Sequence, residues 1–99
     1  MLDIEKKASG SKLEITLIGR LDTTSSPKLE EMIKEVLPGI ELLIFDFKDL
    51  EYISSAGLRI LLSAQKTMNK QGKMIVKNVS EEVNEIFEVT GFSDILMME

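Results

Sequence analysis

Ser54 and Ser55 stand side by side just ahead of an amphipathic run, where a placed hydroxyl could do chemistry. Three roles are open to such a pair. Either hydroxyl could cap a helix by accepting from a backbone N–H. Either could act as a nucleophile, but that needs a base, and neither serine is followed by a Ser-x-x-Lys spacing. Either could accept a phosphate, which the unpaired N–H groups and positive end of a helix would tolerate. Asp22 is the second candidate, at the head of Thr23-Thr24-Ser25-Ser26, where a carboxylate can also serve simply as a turn residue. Gly19 and Gly57 complete the set, as a strand-end glycine and a close-packing position near a helix start.

Composition narrows these choices. The chain has 99 residues and no Cys or His, so it offers no disulfide, no thiolate metal site and no Ser-His-Asp triad. No cofactor is expected: there is no Gly-Lys-Ser/Thr phosphate loop and no Gly-x-Gly-x-x-Gly. The methionines at 32, 68, 74, 97 and 98 read as core filler and tail. Twelve basic against 17 acidic residues give a net charge of −5, without a basic run, so direct nucleic-acid binding is not expected. No apolar run approaches the roughly 20 residues a bilayer crossing needs, so no membrane insertion is expected. Met1-Leu2-Asp3-Ile4-Glu5 lacks the pattern of a signal peptide, and a cytoplasmic location follows as the expectation. Asn78-Val79-Ser80 matches a glycosylation acceptor, a match that is idle in such a location.

Residues 2–8 and 12–20 read as two strands joined by Ser9-Gly10-Ser11, an antiparallel hairpin. Ser26-Pro27 reads as an N-cap and first helical position, followed by Glu30 and Glu31 near the positive end. Leu29, Met32, Ile33, Val36 and Leu37 recur at helical spacing until Pro38-Gly39. Ile40 to Phe47, apolar on both faces at its centre, predicts a central strand covered by helices on both sides. Lys48 to Ile53 reads as a connector, and a second helix starts at Ser55 or Ala56 and runs to Gln71, with Gly72 as terminator. Lys73 to Lys77 reads as a strand, Ser80-Glu81-Glu82 opens a third helix ending at Gly91, and Asp94 to Met97 reads as a last short strand. The order β-β-α-β-α-β-α-β predicts one α/β domain over 1–99, a mostly parallel mixed sheet with its first strand antiparallel and helices flanking it. If the second and third strands are parallel neighbours, the Asp22 and Ser55 loops share one edge of the sheet.

In four segments the chain resembles the STAS domain family, and specifically its stand-alone bacterial anti-sigma factor antagonists. These are Gly19-Arg20-Leu21-Asp22, Leu43-Ile44-Phe45-Asp46-Phe47, Tyr52-Ile53-Ser54-Ser55-Ala56-Gly57-Leu58-Arg59 and Val89-Thr90-Gly91-Phe92, in that order. The resemblance implies a binding module, not an enzyme. Such a module engages an anti-sigma factor with serine-kinase activity and so frees a sigma factor for transcription. It is released by phosphorylation and restored by a serine phosphatase. By position the family's phosphorylated serine falls on Ser55. Many members have Asp where this chain has Ser54, and often a second Ser where it has Ala56, so Ser54 stands as the second candidate. The resemblance places partner binding on Asp22, Thr23, Ser54, Ser55, Ala56, Gly57, Leu58 and Arg59. The other role seen among STAS-like domains is a constitutive docking subunit of a lipid-transport or stress-signalling complex.

Overall fold

In the computed structural model, which describes residues 2–99, the alternation of Leu13, Ile15 and Leu17 forms the inward side of a hairpin. Strand β1 (Leu2–Ser9) pairs antiparallel with β2 (Lys12–Leu21). Helix α1 (Ser26–Val36) leads to β3 (Leu42–Ile53), helix α2 (Ser55–Gln71) to β4 (Lys73–Lys77), and helix α3 (Glu81–Thr90) follows. The sheet order is β1-β2-β3-β4, with β2–β3 and β3–β4 parallel. This is the mixed sheet that the alternation of strands and helices predicts.

Three elements differ from the sequence reading. The supposed connector 48–53 belongs to β3, which runs 12 residues to Ile53. Pairing with β2 slips between Thr16 and Ile18 and again between Gly19 and Arg20, each time with an extra residue in β3. These bulges break the two-residue alternation, so the inward residues fall at Phe47, Leu50 and Ile53, three apart. Gly19 takes a positive φ of 108° between the slips, a conformation that a side chain would strain.

The second difference is at the C-terminal end. In place of a strand over 94–97 there is a 3₁₀ turn at Phe92–Asp94 and a single parallel bridge from Met98 to Val76. The amide of Val76 donates to the Met97 carbonyl, and the Glu99 amide to the Val76 carbonyl, each at 2.9 Å. Two such bonds fix the tail to the edge of β4 without forming a ladder.

The third concerns cover. Leu43, Phe45 and Phe47 of β3 are fully buried, whereas Leu42, Ile44 and Asp46 on the opposite face are half-buried. The same division holds in β2, where Leu13, Ile15 and Leu17 are buried and Glu14, Thr16 and Ile18 are half-buried. Burial confined to one face means that the helices form one layer, so β3 is not covered on both sides. Its central run is apolar on both faces because Ile44 packs between its sheet neighbours, opposite Glu14 and Ile75.

The core is one cluster in which Leu29 and Ile33 of α1, Leu61, Ala64 and Met68 of α2, and Val83 and Phe87 of α3 meet that inward face. An aromatic series ties α3 to β3: Phe45 to Phe47 at 5.7 Å, Phe47 to Phe87 at 6.3 Å and Phe87 to Phe92 at 6.5 Å between ring centroids. No helix among the described residues is long and apolar enough to cross a membrane.

Candidate functional site

The parallel pairing of β2 with β3 carries both candidate loops to one edge. Leu21 is the register partner of Ile53, and the Ser54 amide donates to the Leu21 carbonyl at 2.8 Å. The chain leaving β2 and the chain entering α2 are therefore held side by side by backbone, independently of any side chain.

Ser54 and Ser55 take different positions there. Ser54 is extended at φ −93° and ψ 175° and caps α2, its hydroxyl accepting from the Gly57 amide at 3.4 Å. Its carbonyl accepts from the Leu58 amide at 2.9 Å. Ser55 is the first helical residue, its side chain is exposed, and its hydroxyl has no hydrogen bond among the described residues. One serine holds the helix and the other is presented to solvent.

Gly57 explains how α2 comes so close to β2. A Cβ built on it would lie 2.7 Å from Leu21 Cγ and 2.9 Å from Ile53 Cγ1, so only glycine lets the first turn settle on those two side chains. Gly57 and Leu58 are both buried. They shape the surface from beneath, while Ser55, Arg59 and Thr23 are exposed on it and Ala56 is half-buried. A groove of about 160 Å³ runs between the starts of α1 and α2, lined by Thr23, Pro27, Glu30, Ala56, Arg59 and Ile60, with Ser26 beneath.

Asp22 is committed to its own loop. Its carboxylate accepts from the Thr24 amide at 3.1 Å and the Ser25 amide at 3.0 Å. The Ser25 amide bond in particular holds the Asp22 carboxyl below the usual carboxylate range; partial desolvation opposes it, and the Ser25 hydroxyl and Thr24 amide reinforce it. Ser25, which the sequence reading did not single out, is the centre of this loop. Its hydroxyl accepts from the Asp22 amide at 2.9 Å and can donate to the Arg20 carbonyl at 2.8 Å or the Asp22 carboxylate at 3.1 Å.

The cap of α1 differs accordingly from Ser26-Pro27. Ser25 holds the cap position without a side-chain bond to the helix, and Ser26 is already helical and buried, its hydroxyl turned back to the Asp22 carbonyl. Glu30 and Glu31 lie past the first turn. The Asp-x-x-Ser spacing was the available signal for this knot. A second missed feature is Arg20, whose guanidinium lies 4.5 Å from the centre of the Tyr52 ring. Only the slipped register that pairs Arg20 with Tyr52 reveals that contact.

Chemically, the site offers one free hydroxyl at the start of a helix, a carboxylate engaged by backbone amides, and an arginine one turn along. No group of three or more Asp or Glu residues among those described is placed to hold a metal. Among the described residues no base is hydrogen-bonded to the Ser55 hydroxyl, the contact an activated serine nucleophile would need.

Residues 3–99 match the STAS domain, and the chain belongs to that family. It is 29% identical over 97 residues to the anti-sigma-B factor antagonist of Bacillus subtilis, covering 96% of this chain and 88% of that protein. The crystal structure of an anti-sigma factor antagonist from Mycobacterium paratuberculosis superposes with a TM-score of 0.89, at 19% identity, over 99% of this chain and 85% of that one. The Bacillus cell fate determinant SpoIIAA in its phosphorylated form superposes with a TM-score of 0.75, at 20% identity, over 100% of this chain and 91% of that one. The two structural likenesses establish the shared fold.

Proposed function

We propose that this chain is an anti-sigma factor antagonist, a binding module switched by phosphorylation of Ser55. The observation that carries the reading is the division of labour at the α2 start: Ser54 is occupied as the cap, and Ser55 is exposed with a free hydroxyl. Relatives that are named anti-sigma factor antagonists support the general role, and a structural neighbour known in a phosphorylated form supports the switch. The partner is an anti-sigma factor with serine-kinase activity, and a serine phosphatase resets the cycle. This chain supplies no catalyst. The Ser55 oxygen takes the terminal phosphoryl group of ATP bound to the partner, its proton passes to a base of the partner, and ADP leaves.

The local physics suits such a switch. Unmodified, the surface made by Thr23, Ser55, Ala56 and Arg59 carries one charge and lies on a rigid base of Gly57 and Leu58. A phosphate adds about −1.5 to −2 charge at its centre. Arg59, one turn away, offsets only part of that charge, and burying the remainder against a partner that offers no counter-charge costs several kcal/mol. Each roughly 1.4 kcal/mol is about tenfold in affinity, so release by about a hundredfold is accessible. The helix itself tolerates the phosphate because its first amides and dipole favour negative charge.

The test is phosphoryl transfer. The purified chain is incubated with its cognate anti-sigma factor and ATP, and the products are mapped by mass spectrometry. One phosphate on Ser55 is expected, retained in Ser54→Ala and absent in Ser55→Ala. Phosphate on Ser54 refutes the assignment to Ser55 and moves the switch to its neighbour; no phosphate on a chain that binds the partner stably refutes the switch and leaves a constitutive docking module.

A further inference from the structure

Helix α2 carries three cations, Arg59, Lys66 and Lys70, and no carboxylate, in a protein whose net charge is −5. Helix α3 has the opposite balance, with Glu81, Glu82, Glu85 and Glu88 and no cation. At 3.6 residues per turn, Ser55, Arg59, Ser63, Lys66 and Lys70 fall within an arc of about 80°. All five are exposed. They form one outward stripe along α2, roughly 22 Å long at 1.5 Å per residue, with Ser55 at its head.

No ion pair among the described residues involves this stripe. The ion pair found among the described residues, Lys77 with Glu14 at 3.0 Å, lies on the far face of the sheet. Glu30 shares the groove with Arg59 without pairing to it. Lys66 and Lys70 lie three and four turns from Ser55 and make no ion pair or side-chain hydrogen bond among the described residues, although Lys70, in the last turn, also complements the negative helix end.

We propose that the stripe Arg59–Lys66–Lys70 is a docking surface for an acidic face of the anti-sigma factor, and that Ser55 is its switch. The inference rests on the antagonist reading above and adds to it the chemistry of the partner's surface. Three unpaired cations aligned against an opposing net charge favour a partner of complementary sign, mainly through faster and correctly oriented encounter. Phosphorylation then acts twice. It sets a like charge against the partner's carboxylates, and it places a phosphate one helical turn from Arg59, within the i,i+4 reach of that guanidinium, so the head of the stripe is neutralised.

The experiment measures affinity and association rate of the cognate anti-sigma factor for the unphosphorylated chain, from about 50 to 500 mM salt. Charge reversal at Lys66→Glu with Lys70→Glu touches neither Ser55 nor the groove. Lys6→Glu with Lys7→Glu changes net charge equally but lies on the hairpin's edge strand β1, which pairs with β2, whereas α2 packs chiefly on β3 and β4. Circular dichroism confirms that each variant folds, and Lys66→Gln with Lys70→Gln supplies a milder pair. The α2 reversal is expected to weaken binding by about tenfold or more at low salt, chiefly in association rate, with the gap closing at high salt. The hairpin pair is expected to stay within about threefold of wild type, and the Gln pair to fall between. Wild-type affinity in the α2 reversal, or an equal loss in the hairpin pair, overturns the docking surface. Failure of the wild-type chain to bind at all is a different result, and refutes the antagonist reading on which the surface depends.

Discussion

Adjacent in the chain, Ser54 and Ser55 meet different surroundings: an extended backbone and a bonded hydroxyl at one, a helical backbone and open solvent at the other. Their stability effects should therefore separate. Removing a capping hydroxyl typically costs about 0.5–2 kcal/mol, and the 3.4 Å length of the Ser54 bond points to the lower part of that range. Removing an exposed, unbonded hydroxyl changes stability by no more than about 0.5 kcal/mol. Urea denaturation of Ser54→Ala and Ser55→Ala is expected to give this order, and a larger loss at Ser55 would contradict the division of labour. Part of this was legible in advance, because a serine pair before an apolar periodic run marks a helix start. Which serine caps was not, since that depends on one residue's φ and ψ. Asp22 was legible as a turn residue. Ser25, the hydroxyl that ties the loop together, was hidden in a run of four hydroxyl residues that composition does not distinguish.

At the scale of elements, the site depends on how closely α2 approaches the ends of β2 and β3. Gly57 is the point of contact, and Gly57→Ala would force a Cβ to within 3 Å of Leu21 and Ile53. Overpacking of this kind costs roughly 1–3 kcal/mol. Here it should also shift the first turn of α2 outward and misplace Ser55. Denaturant melts together with the phosphorylation assay are expected to show both a stability loss and slower modification. Unchanged values in both would remove Gly57 from the account. The strands and helices that position this contact were readable wherever one period held, as in β2 and the three helices. They were not readable at 48–53, where two bulges set the inward residues three apart and an exposed Lys48-Asp49 pair imitates a loop. Nor was the tail, where a strand-like sequence makes one bridge to Val76 because the 3₁₀ turn at Phe92–Asp94 uses the residues before it.

For the whole molecule, a single helical layer on one face of a four-stranded sheet leaves little room for an enclosed active site and gathers the distinctive groups at one edge. Under the proposed function, a chain without His or Cys can still be a switch there, because a phosphoacceptor needs only a placed hydroxyl and the catalyst would belong to the partner. The acidic balance that first argued against nucleic acid proves uneven, negative on α3 and positive on α2. The central claim is that phosphate on Ser55 turns partner binding off. Its most direct measurement is calorimetric titration of the cognate anti-sigma factor with the unmodified chain and with the chain phosphorylated on Ser55. Binding of the unmodified form and a loss of about a hundredfold or more on phosphorylation are expected; affinities equal within about threefold would contradict the claim.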